Sequence, residues 1–324
     1  MFNLHDNLRS VCISHIKDVD GCVCAALVFR LLGGRFVLVN YGNLQQELKK
    51  IRRNTELLYI CDLGLNETVL EDLRRIREFA EVVYIDHHPM DEELREELVN
   101  LGVELVHDTR ECAGVLTYHK FREALPWKAG LLAAYAAISD NTESGPLAQE
   151  LLSHFDRQLI LFESMLLSHA LERAKEVSFK RFVVSKLAEM EYPHRIKGVS
   201  ELALEGIERS VALLETLPSK VKKVGRVGYV EMEGSSGTVA SLIITACDVD
   251  VGISYKCLPE KNVCDISIRG AADLELDLSK LASRIARSVG GFGGGHPKAS
   301  GARVPSDGIQ RFVEEFIAKV NSSN

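Results

Sequence analysis

The sequence lacks any apolar run that approaches the roughly 20 residues of a membrane-spanning helix. Its first residues, Met-Phe-Asn-Leu-His-Asp, lack the basic start and apolar core of a signal peptide. Basic residues are in the minority, with 39 Lys and Arg against 46 Asp and Glu, which argues against a protein that coats long duplex DNA. We therefore expect a cytoplasmic protein with no membrane partner, although a short nucleotide ligand stays compatible with this charge.

Cys-x-x-Cys pairs are also missing. The eight cysteines are scattered along the chain and several lie in apolar runs, which predicts buried, reduced thiols in a cytoplasmic protein. They are Cys12, Cys22, Cys24, Cys61, Cys112, Cys247, Cys257 and Cys264.

The composition is that of an ordinary globular protein, with 46% hydrophobic and 26% charged residues. At 324 residues the chain is long enough for two domains. Residues 197–324 contain 16 Lys and Arg and 16 Asp and Glu, so the excess of acid lies in the first part of the chain. Bound cations there would offset some of this charge.

Strand and helix patterns alternate over the first 140 residues, which predicts an α/β fold with a doubly wound parallel sheet. The predicted strands lie near 10–14, 36–40, 57–61, 82–86 and 103–106, and the predicted helices near 21–33, 44–53, 66–80, 91–101, 112–124 and 128–138.

We predict three parts: residues 1–145 with this sheet, a helical connector over 146–219, and a smaller α/β domain over 220–324. In the last part, the patterns predict strands over 224–232, 249–257 and 265–269. Residues 290–298 contain five glycines, too many for a regular element, and predict a fixed loop before a strand entry at Ala299.

Acidic and imidazole side chains follow the predicted strands. Asp86-His87-His88 comes after the apolar run 82–85, and two adjacent imidazoles cannot both be buried cheaply without partners. Taken singly, the other groups are more typical of helix caps or turn acids than of metal ligands. Together, oxygen and imidazole ligands at strand ends favour a site for two divalent metals that activate water. These groups are His15-x-x-Asp18-x-Asp20-Gly21, Asp62 and Asp140.

The four groups resemble, in order and spacing, the motifs of the DHH phosphoesterase superfamily, named for the triplet at 86–88. The Gly-Gly-Gly-His stretch resembles the signature of its DHH-associated domain 1, so the resemblance covers nearly the whole chain. It implies a DHH metal-binding catalytic domain over 1–145 and a substrate-binding domain over 220–324.

The resemblance also implies roles for single residues. His15, Asp18 and Asp62 would hold one metal, while Asp20, Asp62, His87 and Asp140 would hold the other, with Asp62 bridging. Many members have three residues between the first histidine and aspartate, whereas this chain has two. Asp86 would orient its neighbours and His88 would face the substrate phosphate. The implied cofactor is two Mn²⁺ per site, and the ligand set also permits Co²⁺ or Mg²⁺.

The second domain is expected to hold the rest of the substrate. Backbone N–H groups at Gly294 and Gly295 can approach phosphate without side-chain clash, and His296 and Lys298 add donors. Arg269 resembles an arginine with which the family grips the nucleotide; a surface charge at the end of a strand is the alternative. Arg303 is a weaker candidate.

The function implied is a manganese-dependent phosphodiesterase or exonuclease that acts on short oligonucleotides or small nucleotides, similar to the nanoRNases, with removal of phosphate from phosphoadenosine phosphate (pAp) as a second activity. Alternatives are a cyclic-dinucleotide phosphodiesterase, an inorganic pyrophosphatase or exopolyphosphatase, and a scaffold without activity. A homodimer is compatible with all of these.

Overall fold

The computed structural model describes residues 9–234 and 237–323. The chain divides into two compact units, Met1–Gly206 and Ile207–Asn324. The first six residues, on which the argument against export rests, lie outside the described residues. Among the described residues, no helix is both long and apolar enough to cross a bilayer. The division into 1–145, 146–219 and 220–324 stays a prediction.

The first unit is built on a sheet of five parallel strands in the order β2-β1-β3-β4-β5. All five lie where the sequence predicts them: β1 (Ser10–His15), β2 (Arg35–Val39), β3 (Leu57–Cys61), β4 (Glu81–Asp86) and β5 (Glu104–His107). The chain leaves β1 for β2 on one side and returns to β3 on the other. Sheets of this topology bind ligands where the direction reverses, at the carboxyl ends of these strands.

Helices cover both faces of this sheet. Side chains alternate along β1, so that Cys12 faces one hydrophobic core with α1 while Val11 and Ile13 face a second core with α3. This confirms the doubly wound prediction. The helices are α1 (Val19–Leu32), α2 (Leu44–Lys49), α3 (Leu70–Arg77), α4 (Glu92–Asn100), α5 (Ala113–Phe121), α6 (Ala129–Ser139), α7 (Pro146–Leu152), α8 (Arg157–Arg173), α9 (Val177–Ala188) and α10 (Val199–Thr216), the last of which crosses the unit boundary.

The second unit has a six-stranded sheet in the order β10-β11-β9-β8-β7-β6, in which β7 and β8 are parallel and the other neighbours antiparallel. Its larger core lies between the sheet and the helices α12 and α13, and a smaller core includes Ile243 of α11. The elements are β6 (Lys222–Val224), β7 (Val227–Glu231), α11 (Gly237–Cys247), β8 (Val251–Leu258), β9 (Val263–Gly270), α12 (Leu278–Ser288), β10 (Phe292–His296), β11 (Ala299–Pro305) and α13 (Ile309–Ser322).

Two sequence predictions are wrong in this unit. The glycine-rich stretch is not a loop, because Phe292–His296 forms strand β10, whose backbone pairs with β11. A Cβ at Gly293 would lie 3.1 Å from the carbonyl oxygen of Ala282 in α12, so the missing side chain permits close packing there. Cys257 and Cys264 are not reduced, since they form a disulfide. The register of β8 and β9 places them opposite each other, and register is not visible in the sequence.

Candidate metal centre and substrate-binding strand

The carboxyl ends of β1, β3 and β4 present the polar side chains that the sequence singled out. His15 is the last residue of β1, Asp62 follows β3 directly, and Asp86 ends β4 with His87 after it. Asp140 follows the last residue of α6. Neighbouring parallel strands end at one edge of the sheet, which is why residues far apart in the sequence lie together here.

One cluster consists of His15, Asp18 and Asp62, each with a ligand atom within 4.8 Å of the others. The Nδ1 atom of His15 lies 2.8 Å from Oδ2 of Asp18 and 3.6 Å from Oδ2 of Asp62. Both His15 and Asp62 are buried. This cluster therefore offers one imidazole and two carboxylates in a largely enclosed position.

A second cluster consists of Asp20, His87 and Asp140, again within 4.8 Å. The Nε2 atom of His87 lies 3.8 Å from Oδ2 of Asp20, and its Nδ1 lies 3.5 Å from Oδ2 of Asp140. His87 Nε2 is also 3.4 Å from Oδ1 of Asp62. The two oxygens of Asp62 thus approach one cluster each. The structure brings all six residues together, and their role as metal ligands stays a prediction.

The backbone around these residues is adapted to hold them. Asp62 has a φ of 55°, in the left-handed region that a non-glycine residue seldom adopts. Its N–H donates to the carbonyl oxygen of Ile85 at 3.0 Å, which ties it to β4. Asn141, directly after Asp140, also has a left-handed φ of 56°. The carboxylates of Asp62 and Asp140 are therefore placed by local conformations that the surrounding fold must enforce.

The acids of the first motif are fixed by helix starts. Asp18 is the N-cap of α1 and accepts a hydrogen bond from the Gly21 N–H. It is therefore both a helix cap and a member of the first cluster. Asp20 accepts from the N–H groups of Ala113 and Gly114 at 2.9 and 2.6 Å, at the start of α5. A Cβ on Gly21 would lie 2.4 Å from the His15 carbonyl oxygen, so this glycine of α1 allows the helix to pack closely against the end of β1.

The electrostatics of the two clusters favour a bound cation. Burial, then the nearby carboxylates, raise the pKa of Asp62 and of Asp140 well above the ordinary value. Burial lowers the pKa of His15, but the nearby carboxylates of Asp18 and Asp62 outweigh it and raise that pKa to about 10.

Three buried atoms in these residues have no hydrogen-bond partner among the described residues: His15 Nε2, Asp62 Oδ2 and Asp140 Oδ2. Buried polar atoms are normally satisfied. A set of carboxylates and imidazoles left in this state fits hard or intermediate divalent cations such as Mn²⁺.

The carboxylate of Asp86 accepts several hydrogen bonds, and one of its oxygens also lies within 4.8 Å of ligand atoms of Asp62 and His87. It is fully buried and accepts from the Tyr84 hydroxyl and from the backbone N–H of His88 at 3.2 Å. The Nδ1 atom of His88 lies 2.9 Å from Oδ1 of Asp86. Burial raises the pKa of Asp86, but the hydrogen bonds outweigh it and leave the pKa below the ordinary value. The anionic Asp86 therefore fixes the orientation and tautomer of His88.

With its Nδ1 hydrogen directed to Asp86, His88 can accept a hydrogen bond at Nε2. The Tyr41 hydroxyl lies 2.9 Å from this atom and donates to it in this tautomer. The ring of Tyr41 also lies 5.0 Å from that of His15, centroid to centroid. Tyr41 follows β2 after Asn40, so it belongs to the same edge of the sheet.

We expect Asp86→Asn to reduce catalysis about 10- to 100-fold, as is typical when a residue that orients a metal-site group is lost. The amide cannot accept from both the Tyr84 hydroxyl and the two His88 groups. Tyr84→Phe is the control, because it keeps the pair of Asp86 and His88, and its loss should stay below that range. Steady-state rates on a dinucleotide measure both. Equal losses in the two variants would contradict this role of Asp86.

In the second unit, Arg269 and the glycine-rich strand lie in neighbouring parts of one sheet. Ala299 of β11 pairs with His296 of β10 on one side and with Arg269 of β9 on the other. A Cβ at Gly294 would meet nothing within 4 Å, and Gly295 has a φ of 126° that disfavours any side chain. Lys298 lies half-buried in the turn, where its carbonyl oxygen accepts from Gly270 N–H. The structure therefore groups all five predicted substrate residues.

The guanidinium of Arg269 has no carboxylate partner among the described residues. It lies against Gly237 at the start of α11, where a Cβ would be 2.1 Å from its Nη2 atom. Burial lowers the pKa of Arg269. By contrast, Arg303 forms a two-point ion pair with Asp265 at 2.5 and 2.9 Å, so its charge is already used.

Sequence reasoning missed three residues at the first site. Tyr41 and Tyr84 could have been found by extending the search for polar residues to every strand end and to the inward positions of β4. Lys180 of α9 donates from Nζ to the Ile16 carbonyl oxygen at 3.0 Å, across 164 residues, and no sequence pattern marks it.

The chain is similar to known proteins in the sequence of its last part and in its fold. The family model described as the DHHA1 domain matches residues 224–322. The DHH domain of a member of the s1p family of ribosomal proteins has a TM-score of 0.70, at 17% identity over 97% of this chain and 86% of that one. Residues 224–322 thus match the DHHA1 domain family, and the chain shares the fold of a DHH domain over almost its whole length.

Two further DHH-fold structures are similar over almost the whole chain. A pGpG-specific phosphodiesterase, PggH from Vibrio cholerae, has a TM-score of 0.60 at 12% identity and covers 97% of this chain and 99% of its own. The exonuclease RecJ bound to manganese has a TM-score of 0.61 at 17% identity, over 99% and 93%. At these identities the likeness shows the fold alone.

One curated relative is an uncharacterized protein of Methanocaldococcus jannaschii, 37% identical over 107 residues. The match covers 31% of this chain and 23% of that protein, so the chain spans about a quarter of the curated relative it matches.

Proposed function

We propose that this chain is a phosphoric ester hydrolase that uses two divalent metal ions to cleave short oligonucleotides or small nucleotides. The observation that carries the proposal is the position of Asp62, whose two oxygens approach separate clusters of imidazole and carboxylate ligands. His15 and Asp18 would complete one metal site, and Asp20, His87 and Asp140 the other. Manganese is the proposed metal, and the ligands also suit Co²⁺ or Mg²⁺.

Two cations bound there would lower the pKa of a water molecule to near neutrality and neutralise charge on the phosphoryl oxygens. The chain's own residues supply the rest. Asp86 holds His88 in one orientation through Nδ1, while Nε2 faces the Tyr41 hydroxyl. If substrate replaced this hydroxyl and the imidazole were protonated, Nε2 would donate a hydrogen bond to a phosphoryl oxygen.

The proposed substrate is short because of charge and because of the second unit. The net charge of −7 argues against a long polyanion as substrate. Arg269, which has no acidic partner among the described residues, and the open backbone around Gly294 suit one phosphate group of a small ligand. PggH, which shares this fold, acts on pGpG, and this supports a linear dinucleotide as the first substrate to test.

Product analysis by mass spectrometry tests this proposal. We would supply pGpG, a cyclic dinucleotide, pAp and pyrophosphate separately with Mn²⁺, and expect the linear dinucleotide to be converted to mononucleotides fastest. Faster release of phosphate from pyrophosphate would favour the pyrophosphatase alternative instead. No turnover of any substrate, in protein that binds Mn²⁺, would favour an inactive scaffold. The homodimer stays a prediction.

Replacement of Arg269 tests the substrate-binding role of the second unit. We expect Arg269→Met to raise KM for a dinucleotide about 10- to 100-fold, since a hydrogen bond to a charged group contributes about 1.5–3 kcal/mol. The matched control is Arg303→Met, which removes an arginine already paired with Asp265 and should leave KM unchanged. If the two variants raise KM equally, Arg269 does not contact substrate.

A further inference from the structure

Lys180 is the least expected residue near the metal centre. It lies on α9, its side chain is only 8% exposed, and its ammonium donates to the backbone carbonyl oxygen of Ile16 at 3.0 Å. No carboxylate lies within ion-pair distance of its Nζ atom among the described residues. The charged groups that act on it are Asp18, Lys17 and Glu172.

Packing alone does not account for a lysine at this position. Neighbouring residues of α9, such as Val183 and Val184, are fully buried in the core that also contains Val19 and Cys22 of α1. Burial of an ammonium without a carboxylate costs free energy, and apolar residues of similar volume often replace buried charges without loss of stability. A methionine would fill the same space without this cost, so the charge or its hydrogen bond serves another purpose.

The hydrogen bond of Lys180 acts on the turn that carries two proposed metal ligands. Ile16 follows His15 directly and precedes Asp18 by two residues. Its N–H donates to the carbonyl oxygen of Val39 at 3.0 Å, while its own carbonyl oxygen accepts from Lys180. The peptide groups on both sides of Ile16 are therefore held, one by β2 and the other by α9. His15 and Asp18 keep their 2.8 Å contact across this turn.

We propose that Lys180 is a positioning residue for the metal centre, which fixes the turn over residues 15–18 so that His15 and Asp18 can bind one cation together. This inference rests on the proposed function, because it assumes that these residues hold a metal. Lys180 reaches neither ligand side chain directly in any described hydrogen bond. It acts through the backbone of Ile16.

Simple electrostatics predicts the opposite effect and so provides a sharp test. A positive charge close to a cation site weakens binding of the cation. If the ammonium acted only by its charge, its removal would tighten the binding of Mn²⁺. If it acts by fixing the turn, its removal weakens the binding instead.

The experiment compares Lys180→Met, Lys180→Arg and the control Lys186→Met in the full chain. Lys186 lies on the same helix but is paired with Glu189 at the surface. We would measure the Kd for Mn²⁺ by titration calorimetry and by electron paramagnetic resonance without substrate, and the Tm of the metal-free protein. We expect Lys180→Met to raise the Kd of one of the two Mn²⁺ ions at least about 10-fold, with an unchanged or higher Tm. Lys180→Arg should restore part of the affinity. The control Lys186→Met should change neither the Kd nor the Tm.

Several outcomes would overturn the inference. The first is a Kd for Mn²⁺ that is unchanged or lower in Lys180→Met. The second is a higher Kd together with a lower Tm in both Lys180 variants, which would indicate a purely structural role. If Lys180→Met does not fold, the Kd and Tm of Lys180→Arg decide in the same way. Failure of the wild-type chain to bind Mn²⁺ would instead refute the proposed function itself.

Discussion

Asp62→Asn is expected to reduce hydrolysis of a dinucleotide by a factor on the order of 10³, which corresponds to about 4 kcal/mol in the activation barrier. An amide can offer only one oxygen, so one of the two clusters loses the ligand that Asp62 supplies. The binding of Mn²⁺ should fall from two ions per chain to one or none. Activity assays and metal titration measure the two effects separately.

This substitution should leave the fold intact. Asparagine tolerates the left-handed φ of 55° at least as well as aspartate, and the change removes a buried charge from a group of carboxylates. The matched control is Asp72→Asn on α3, a second buried aspartate that lies outside both clusters and beside Arg75. It should retain activity and metal binding. Full activity in Asp62→Asn would refute the two-metal mechanism.

The second large effect is the dependence of metal stabilisation on pH. The raised pKa of Asp62, Asp140 and His15 means that the metal-free folded chain binds protons that the unfolded chain has released. Their contribution to stability is fully present below the unfolded pKa values, 3.8 for Asp and 6.5 for His, and is lost as pH rises through the folded values, about 10 for His15. A bound cation replaces these protons, so it stabilises most at high pH.

We therefore expect Mn²⁺ at about 100 times its Kd to add about 2.7 kcal/mol to the free energy of unfolding per site at pH 8, and much less at pH 5.5. Thermal unfolding with Mn²⁺ or with EDTA, repeated across this range, measures the difference. Asp18 and Asp86 have lowered pKa values, so their contribution to the stability of the fold is lost only in more acidic solution. It therefore does not affect the comparison between pH 5.5 and pH 8. An effect of Mn²⁺ that is equal at the two pH values would contradict the assignment.

Local pattern was enough to predict the parallel sheet of the first unit and the residues that lie together at its edge. Apolar runs of about five residues mark β1, β3 and β4, and the rule that parallel strands end together brings Asp62 and His87 to one place. What failed depends on non-local register and packing. The pairing of Cys257 with Cys264 and the strand at Phe292–His296 follow from neighbours in the sheet, and the contact of Lys180 with Ile16 depends on how α9 packs.

The hydrogen bonds that Ala113 and Gly114 donate to Asp20 have a consequence for biosynthesis. They connect positions 93 and 94 residues apart, and Asp140 joins the same cluster later still. A nascent chain on the ribosome that has exposed only its first strands has no complete pair of binding sites for cations. The two proposed metal sites would thus be complete only after the chain has been made beyond Asp140.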